Sequence, residues 1–183
     1  MTNLAFDPAT ERARFQARLA FLNCQAALRL DLAEGISFQP ETAESVMDQV
    51  SETLWAEGKA LDSVATEELA EARASFEVLA PRREAQGLSL VATLMLGFPE
   101  AIRNDRLAAL QHFPDQLQVE LSDGSLAAPA VDRGAAGPED RLPTVLALRY
   151  FIPDGAKIAA LVSNHASLSG RWPAPAAWIA WPS

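Results

Sequence analysis

The sequence predicts an α+β fold, and three observations support this prediction. Up to about residue 80, apolar side chains recur at intervals of three and four, which is typical of helices with one buried face. The second half contains apolar runs bounded by glycine and proline, which are typical of strands. The short links between those runs favour antiparallel pairing. We therefore expect an N-terminal helical layer of about three helices, packed on a mostly antiparallel sheet formed by the C-terminal half.

The three helices are predicted from the spacing of apolar residues and from capping signals. The first covers Pro8–Gly35, and its apolar face consists of Phe15, Leu19, Leu22 and Ala26. The second starts near Pro40 and ends before Gly58, with an apolar stripe of Val46, Val50 and Leu54. The third begins at Thr66 and stops before Pro81, and its buried side consists of Leu69, Ala72, Phe76 and Leu79.

The second half is predicted to alternate between strands, short helices and loops. Strands are predicted at Leu88–Phe98, Gln116–Leu121, Thr144–Ile152 and Val162–Leu168. Short helices are predicted at Glu100–Gln111 and at Pro153–Leu161. The composition of Asp132–Pro143 predicts a loop, and we expect Ala130–Arg141 to be flexible and dispensable because it offers little to bury.

Length and charge limit the class of protein. The 183 residues fit a single domain over 1–183. A formal net charge of −9 opposes general binding to nucleic acid and docking on anionic lipid. The single cysteine, Cys24, cannot form an internal disulfide, and we expect it to be a buried thiol. We expect no secretory leader and no membrane helix, and hence a cytoplasmic location.

The charge is concentrated in residues 35–80, which hold ten acidic and two basic residues, a net charge of −8. Glu44, Asp48 and Glu52 follow one another at intervals of four and form an acidic stripe on the second helix. Such a stripe is either a solvated helix face or a docking site for a protein partner with a basic surface.

The C-terminal segment 170–183 is rich in tryptophan and proline, with its tryptophans at Trp172, Trp178 and Trp181. Tryptophan side chains in such a tail either pack back on the domain or anchor a partner. We expect the tail to pack on the domain, and we keep the three tryptophans as a candidate interaction surface beside the acidic stripe.

Three segments carry a pattern that is shared with other proteins: Glu44–Glu57, Leu90–Pro99 and Thr144–Leu161. They resemble the blocks of an uncharacterised bacterial family of about this length, which is catalogued only as a domain of unknown function. The chain looks like a divergent member. Relatives are often encoded near rubrerythrin-like and iron–sulfur proteins, so the resemblance implies a redox or metal context without an established activity.

The chain departs from the family pattern at several polar positions. The glutamate before the family's Tyr-Pro pair is Gly97 here, and the histidine of its third block is Ala147. The resemblance retains Glu52, Glu57 and Arg149, which form a candidate residual polar site. The alternative is that these three residues are ordinary surface charges.

Metal binding and nucleophilic catalysis receive little support from residue spacing. A carboxylate-bridged metal site in a bundle also needs Glu-x-x-His pairs, and neither His112 nor His165 has a glutamate three residues before it. Ser163, Asn164 and Ser167 lie close to His165 in the sequence, but a catalytic triad is defined by the three-dimensional arrangement of its residues and not by their positions along the chain. We expect no stoichiometric metal, no cofactor and no catalytic residues.

Two functional hypotheses follow from these observations. The first is a non-catalytic interaction protein or accessory subunit of a larger bacterial assembly. The acidic stripe, the tryptophan-rich tail and the missing family residues support it. The alternative is a small redox-linked or metal-associated enzyme of unknown reaction, which rests on the family resemblance, on Glu52, Glu57 and Arg149, and on His165.

Overall fold

The computed structural model describes residues 8–59, 64–132 and 142–180. These residues form five α-helices: α1 (Pro8–Leu28), α2 (Ala43–Ala56), α3 (Thr66–Phe76), α4 (Glu100–Ala109) and α5 (Phe113–Gln116). They also form ten strands: β1 (Leu30–Ala33), β2 (Ile36–Pro40), β3 (Arg82–Glu84), β4 (Gly87–Leu96), β5 (Gln118–Leu121), β6 (Leu126–Ala127), β7 (Ala130–Asp132), β8 (Val145–Pro153), β9 (Ile158–His165) and β10 (Leu168–Pro173). Two 3₁₀ helices cover Glu77–Leu79 and Ala176–Ala180.

The strands form two sheets, and all neighbouring strands in the described ranges run antiparallel. The larger sheet has the order β1-β2-β4-β8-β7, with β3 paired beside the start of β4. The smaller sheet has the order β10-β9-β5-β6. The α+β prediction is confirmed. The predicted layering is matched only roughly, because there are two sheets and the first strands lie among the N-terminal helices.

A hairpin occupies the end of the segment that was predicted as the first helix. Helix α1 ends at Leu28, and β1 and β2 are joined by the two-residue turn Glu34-Gly35, which pairs Ala33 with Ile36. Gly35 has φ of 74°, a left-handed conformation that suits a tight hairpin turn. The prediction that Gly35 terminates a helix was wrong because positive φ serves helix ends and hairpin turns equally well.

The helix predicted at Pro153–Leu161 is also absent from the structure. Gly155 adopts φ of 78° in a turn, and the apolar run that follows pairs with β5 and β10 as strand β9. A short apolar run without clear periodicity fits a helix and a buried strand equally well, which explains the error. The predicted strand Val162–Leu168 spans the end of β9 and the turn before β10.

The main core lies between the two sheets. Strand β4 alternates between its faces, so Leu90, Ala92, Leu94 and Leu96 enter this core. The smaller sheet contributes Val119 and Leu161, and helices α4 and α5 close the core with Leu107 and Phe113. The other face of β4 carries Ser89, Val91, Thr93 and Met95, and Thr93 bonds there to Glu41, which lies two residues before α2. Helix α2 buries Val46, Val50 and Leu54.

Candidate functional site

The part of the predicted apolar face of α1 whose side chains the structure describes is exposed. Leu19 and Leu22, which the sequence placed on one helix face, have 38% and 44% of their surfaces accessible, and Ala26 is exposed as well. No residue of α1 whose side chain the structure describes is fully buried. The expectation that this side of the helix is buried, as in a typical amphipathic helix, was therefore wrong for Leu19, Leu22 and Ala26, and the side chain of Phe15 lies outside what the structure describes.

Polar contacts attach α1 to its neighbours. The Gln25 amide nitrogen lies 3.4 Å from Thr42 Oγ1, and Gln39 Nε2 donates to the carbonyl oxygen of Gln25 at 3.1 Å. At the end of the helix, Trp178 Nε1 donates to the carbonyl oxygen of Leu28. Arg18 completes the attachment by reaching toward α2. These polar contacts hold α1 in place together with Leu28, which packs against the main core, and they leave Leu19 and Leu22 exposed.

The acidic stripe of α2 faces α1. Arg18 pairs with Glu52, and its Nη2 lies 3.9 Å from Asp48 Oδ2. Both carboxylates are partly accessible, and Glu44 at the start of the helix is exposed. Two of the three acids of the stripe thus meet a basic group of the same chain. Trp55, on the same side of α2, is 49% accessible.

The stripe and the exposed apolar residues together form what we call the α1–α2 surface. It comprises Leu19, Leu22, Ala26, Glu44, Asp48, Glu52 and Trp55. Leu19 and Leu22 lie on one side of α1, and Asp48, Glu52 and Trp55 lie on the side of α2 opposite its buried stripe. The result is an apolar area beside partly accessible carboxylates.

The tryptophans of the C-terminal tail have different environments in the structure. Trp178 is 3% accessible and lies in the main core, with its ring 5.5 Å from that of Phe38. Trp172 is half-buried, and its Nε1 donates to the carbonyl oxygen of Leu32 at 3.0 Å. Trp178 is therefore not part of an exposed interaction surface, and Trp172 bridges β10 to β1. Trp181 lies outside the described residues.

The candidate residual polar site is not assembled as one cluster, because its three members contact different groups. Glu52 pairs with Arg18, and Glu57 accepts from Lys59 Nζ at 2.7 Å. Hydrogen bonding to Glu57, and then to Glu68, raises the pKa of the Lys59 ammonium above its ordinary value. Arg149 Nη1 donates to Ser89 Oγ at 2.8 Å, and Nη2 donates to the carbonyl oxygen of Val78.

Arg149 also lines a pocket of about 310 Å³ on the outer face of the larger sheet. Its polar members are Arg149 and Asp132, and its apolar walls come from Val78, Val91, Ala130, Val131 and Ala147. Asp132 belongs to β7, which pairs with β8. The prediction that Ala130–Asp132 belongs to a flexible loop was therefore wrong, while residues 133–141 of that prediction lie outside the described ranges.

A buried carboxylate was missed by sequence reasoning. Glu41 is 4% accessible, and it accepts hydrogen bonds from Ser45 Oγ at 2.6 Å and from Thr93 Oγ1 at 2.5 Å. Its backbone N–H donates to the carbonyl oxygen of Val91, which fixes the entry of α2 on β4. One signal was available, since Glu41 precedes the N-cap Thr42 at a position that often holds an apolar staple residue.

His165 and Cys24 have contrasting environments. His165 is buried, its Nδ1 accepts from the Ser167 backbone N–H at 3.2 Å, and its ring meets Phe113 edge-on at 5.9 Å. These contacts orient the imidazole within the core. Cys24 is exposed on α1, so the prediction of a buried thiol was wrong. Helix α1 presents this face to solvent, which amino-acid burial preferences alone do not reveal.

The arrangement of potential metal ligands bears on the metal-associated alternative. Within the described ranges, no group of three or more His, Cys, Asp or Glu side chains has the arrangement needed to hold a metal ion.

Among the helices of the described residues, none combines the length and the apolar character needed to cross a membrane.

Comparisons with known proteins place the chain by its fold alone. No family model matches the sequence, and no curated protein matches it. Among solved structures, the chain is similar to a novel protein of unknown function from Burkholderia pseudomallei K96243. The TM-score is 0.71 at 17% sequence identity, over 93% of this chain and 91% of that chain. The similarity therefore extends over nearly the whole α+β architecture.

Proposed function

We propose that this protein is an interaction or accessory subunit that binds a protein partner through the α1–α2 surface. The observation that carries the proposal is the exposure of Leu19 and Leu22 on a helix that is held to its neighbours by polar contacts of Arg18 and Gln25 and by the packing of Leu28. Most of the stability of a helix in a protein comes from burying its apolar side, so an uncovered apolar side is the natural place for another protein to pack.

Charge defines the chemistry of the partner. The partner covers the apolar residues of α1 and carries basic side chains opposite Glu44 and the accessible parts of Asp48 and Glu52. Complementary charge of this kind speeds association and selects partners. A second copy of the chain fits poorly, because each copy has a net charge of −9 and would place one acidic stripe near another.

The test compares two variants that each replace two exposed apolar side chains with neutral polar ones. The first is Leu19→Gln with Leu22→Gln on the α1–α2 surface. The matched control is Ile102→Gln with Leu126→Gln, whose wild-type side chains are 43% and 51% accessible and lie on α4 and β6. Neither pair alters the net charge, so a difference between them reports the location of the apolar contact.

Partners are captured from cells that express the protein, identified, and then rebound as purified components. We expect the wild type and the control pair to bind with the same affinity, and the Leu19/Leu22 pair to bind at least about tenfold more weakly, a loss of about 1.4 kcal/mol. Light scattering measures the mass of the free protein in parallel.

Two results would contradict the proposal. Equal affinity in both variants would show that the partner binds elsewhere. A stable homodimer that dissociates only in the Leu19/Leu22 pair would show that a second copy covers this surface instead of a different protein.

A further inference from the structure

The pocket beside Arg149 contains a positive charge that the described residues leave without an ionic partner. The hydrogen bonds of this guanidinium go to neutral acceptors, the Ser89 hydroxyl and the Val78 carbonyl. Five other arginines pair with carboxylates, namely Arg18, Arg29, Arg82, Arg83 and Arg171, whereas Arg103, like Arg149, donates to a backbone carbonyl oxygen. A cation held this way favours an anion from outside the chain.

The guanidinium is fixed before any ligand arrives. Strand β8 carries Arg149, Ser89 lies on the neighbouring strand β4, and Val78 lies in the 3₁₀ helix that precedes β3. A guanidinium has five N–H donors, so N–H groups remain after these two bonds. Fixing the side chain in advance reduces the entropy that binding would otherwise cost.

The shape of the pocket identifies the class of ligand. In the β7–β8 pair, Ala130 lies opposite Arg149 and Ala147 lies opposite Asp132, and the short side chains of the two alanines leave the space between them open. The volume of about 310 Å³ is at the lower end of the range for small-molecule sites. An apolar wall beside a planar fork of N–H donors suits a carboxylate with a short hydrocarbon chain.

Asp132 affects which ligand charge the pocket accepts. Its carboxylate lines the same pocket, so a ligand with a second negative charge meets a charge of like sign there. From these contacts we propose that the Arg149 pocket binds a small organic monocarboxylate, in preference to dicarboxylates and inorganic phosphate. This site is separate from the α1–α2 surface, and its test is independent of the proposed function.

The test is a titration of the full chain with butyrate, followed by backbone and methyl NMR signals. Succinate and inorganic phosphate are the comparison ligands. Ala147→Leu fills the pocket and leaves the guanidinium and both of its acceptors in place. Arg149→Gln removes the charge. Ala108→Leu, at an exposed position on α4, is the control for adding the same side chain outside the pocket.

We expect saturable shifts around Val91, Ala130 and Ala147 with butyrate, and weaker binding of succinate and phosphate by several-fold. Ala147→Leu and Arg149→Gln should each weaken butyrate binding about tenfold or more, and Ala108→Leu should not. If Arg149→Gln does not fold, the affinity of the Ala147→Leu variant for butyrate tests the proposal. The proposal is overturned if the wild type shows no saturable shift. It is also overturned if Ala147→Leu binds butyrate like the wild type, or if phosphate binds as tightly as butyrate.

Discussion

The indole Nε1 of Trp178 donates a hydrogen bond of 2.7 Å to the carbonyl oxygen of Leu28, the last residue of α1. The carbonyl groups at the end of a helix lack partners within the helix, so this bond supplies one. The same indole ring packs against Phe38 in the main core. A tail residue thereby joins the end of α1 to the two-sheet core.

Trp178→Ala should therefore lower the free energy of unfolding by about 3–5 kcal/mol, as expected when a buried aromatic side chain is removed. Trp178→Phe keeps much of the packing but removes the bond to Leu28, and should cost about 1–2 kcal/mol. Urea unfolding followed by far-ultraviolet circular dichroism measures both. Trp55→Ala is the control, and because Trp55 is about half accessible it should cost far less. Equal losses at the two tryptophans would be inconsistent with the contacts of Trp178.

Tyr150 gives a prediction about alkaline pH. Its side chain is fully buried, its hydroxyl donates to the carbonyl oxygen of Leu117 at 2.8 Å, and burial raises its pKa well above the ordinary value of 10.0. The unfolded chain loses the phenol proton near pH 10 and the folded chain keeps it, so stability is retained below that pH and falls as pH rises above it.

Tyr150 is the only tyrosine, so tyrosinate absorbance near 295 nm reports this group alone. We expect no tyrosinate in the native protein at pH 11, and its appearance only together with unfolding. Tyr150→Phe should lower the free energy of unfolding by about 1 kcal/mol near neutral pH. It should also remove the loss of stability above pH 10 that this phenol causes in the wild type, which has a slope of up to about 1.4 kcal/mol per pH unit. Reversible ionisation near pH 10 without unfolding would refute the assignment.

The buried carboxylate of Glu41 should contribute strongly to the docking of α2. Glu41→Gln replaces an acceptor of two hydroxyl hydrogen bonds with a group that presents an N–H donor on one side. We expect a loss of about 1–3 kcal/mol in the free energy of unfolding. Glu44→Gln changes the same charge at an exposed position three residues later and should cost less than about 0.5 kcal/mol.

A double-mutant cycle with Thr93→Val separates the direct contact from general disruption. If the Thr93 hydroxyl bonds directly to Glu41, the two substitutions should be non-additive, because each removes the same hydrogen bond. Additive losses would show that Glu41 is stabilised by other neighbours.

Arg18 should control how the acidic stripe meets a basic partner. It pairs with Asp48 and Glu52, so Arg18→Gln removes a positive charge beside two carboxylates and should strengthen association with a basic partner several-fold. Replacing Glu44, Asp48 and Glu52 together with glutamine should weaken association and flatten its salt dependence, because charges at a surface are screened over about 8 Å at physiological ionic strength.

Arg29→Gln is the matched control, because it removes the same charge from an exposed pair with Asp31. Binding is measured for the purified pair at several salt concentrations. If Arg18→Gln and Arg29→Gln change affinity equally, only net charge matters, and the stripe has no specific role. If the triple variant keeps both its affinity and its salt sensitivity, the stripe is a solvated helix face.

Much of the architecture was accessible from the sequence because local spacing decides it. The stripe Val46, Val50 and Leu54 is buried as its period predicted, and the strong strands around Leu90–Leu96 and Leu146–Ile152 follow directly from apolar runs bounded by glycine and proline. The apolar side chains of these elements are buried away from water, and this burial stabilises the core. The same side chains produce the apolar patterns from which the elements were predicted.

The errors lie where one local signal permits two structures. Gly35 marks a hairpin turn rather than a helix end, and the run after Gly155 becomes a strand because β5 and β10 flank it. Hydrogen bonding between strands depends on segments far apart in the chain, and no local pattern contains that information.

The sequence alone determined the α+β class, the acidic middle of the chain and the helical register of Leu19, Leu22, Asp48 and Glu52. Only the tertiary structure decided that Leu19 and Leu22 stay exposed, that Arg18 meets the acidic stripe, that Trp178 is buried, and that Arg149 borders a pocket with neutral hydrogen-bond partners. Helical periodicity tells which residues share a face. Which faces meet depends on how distant elements pack, because burial and ion pairing are properties of the assembled surfaces.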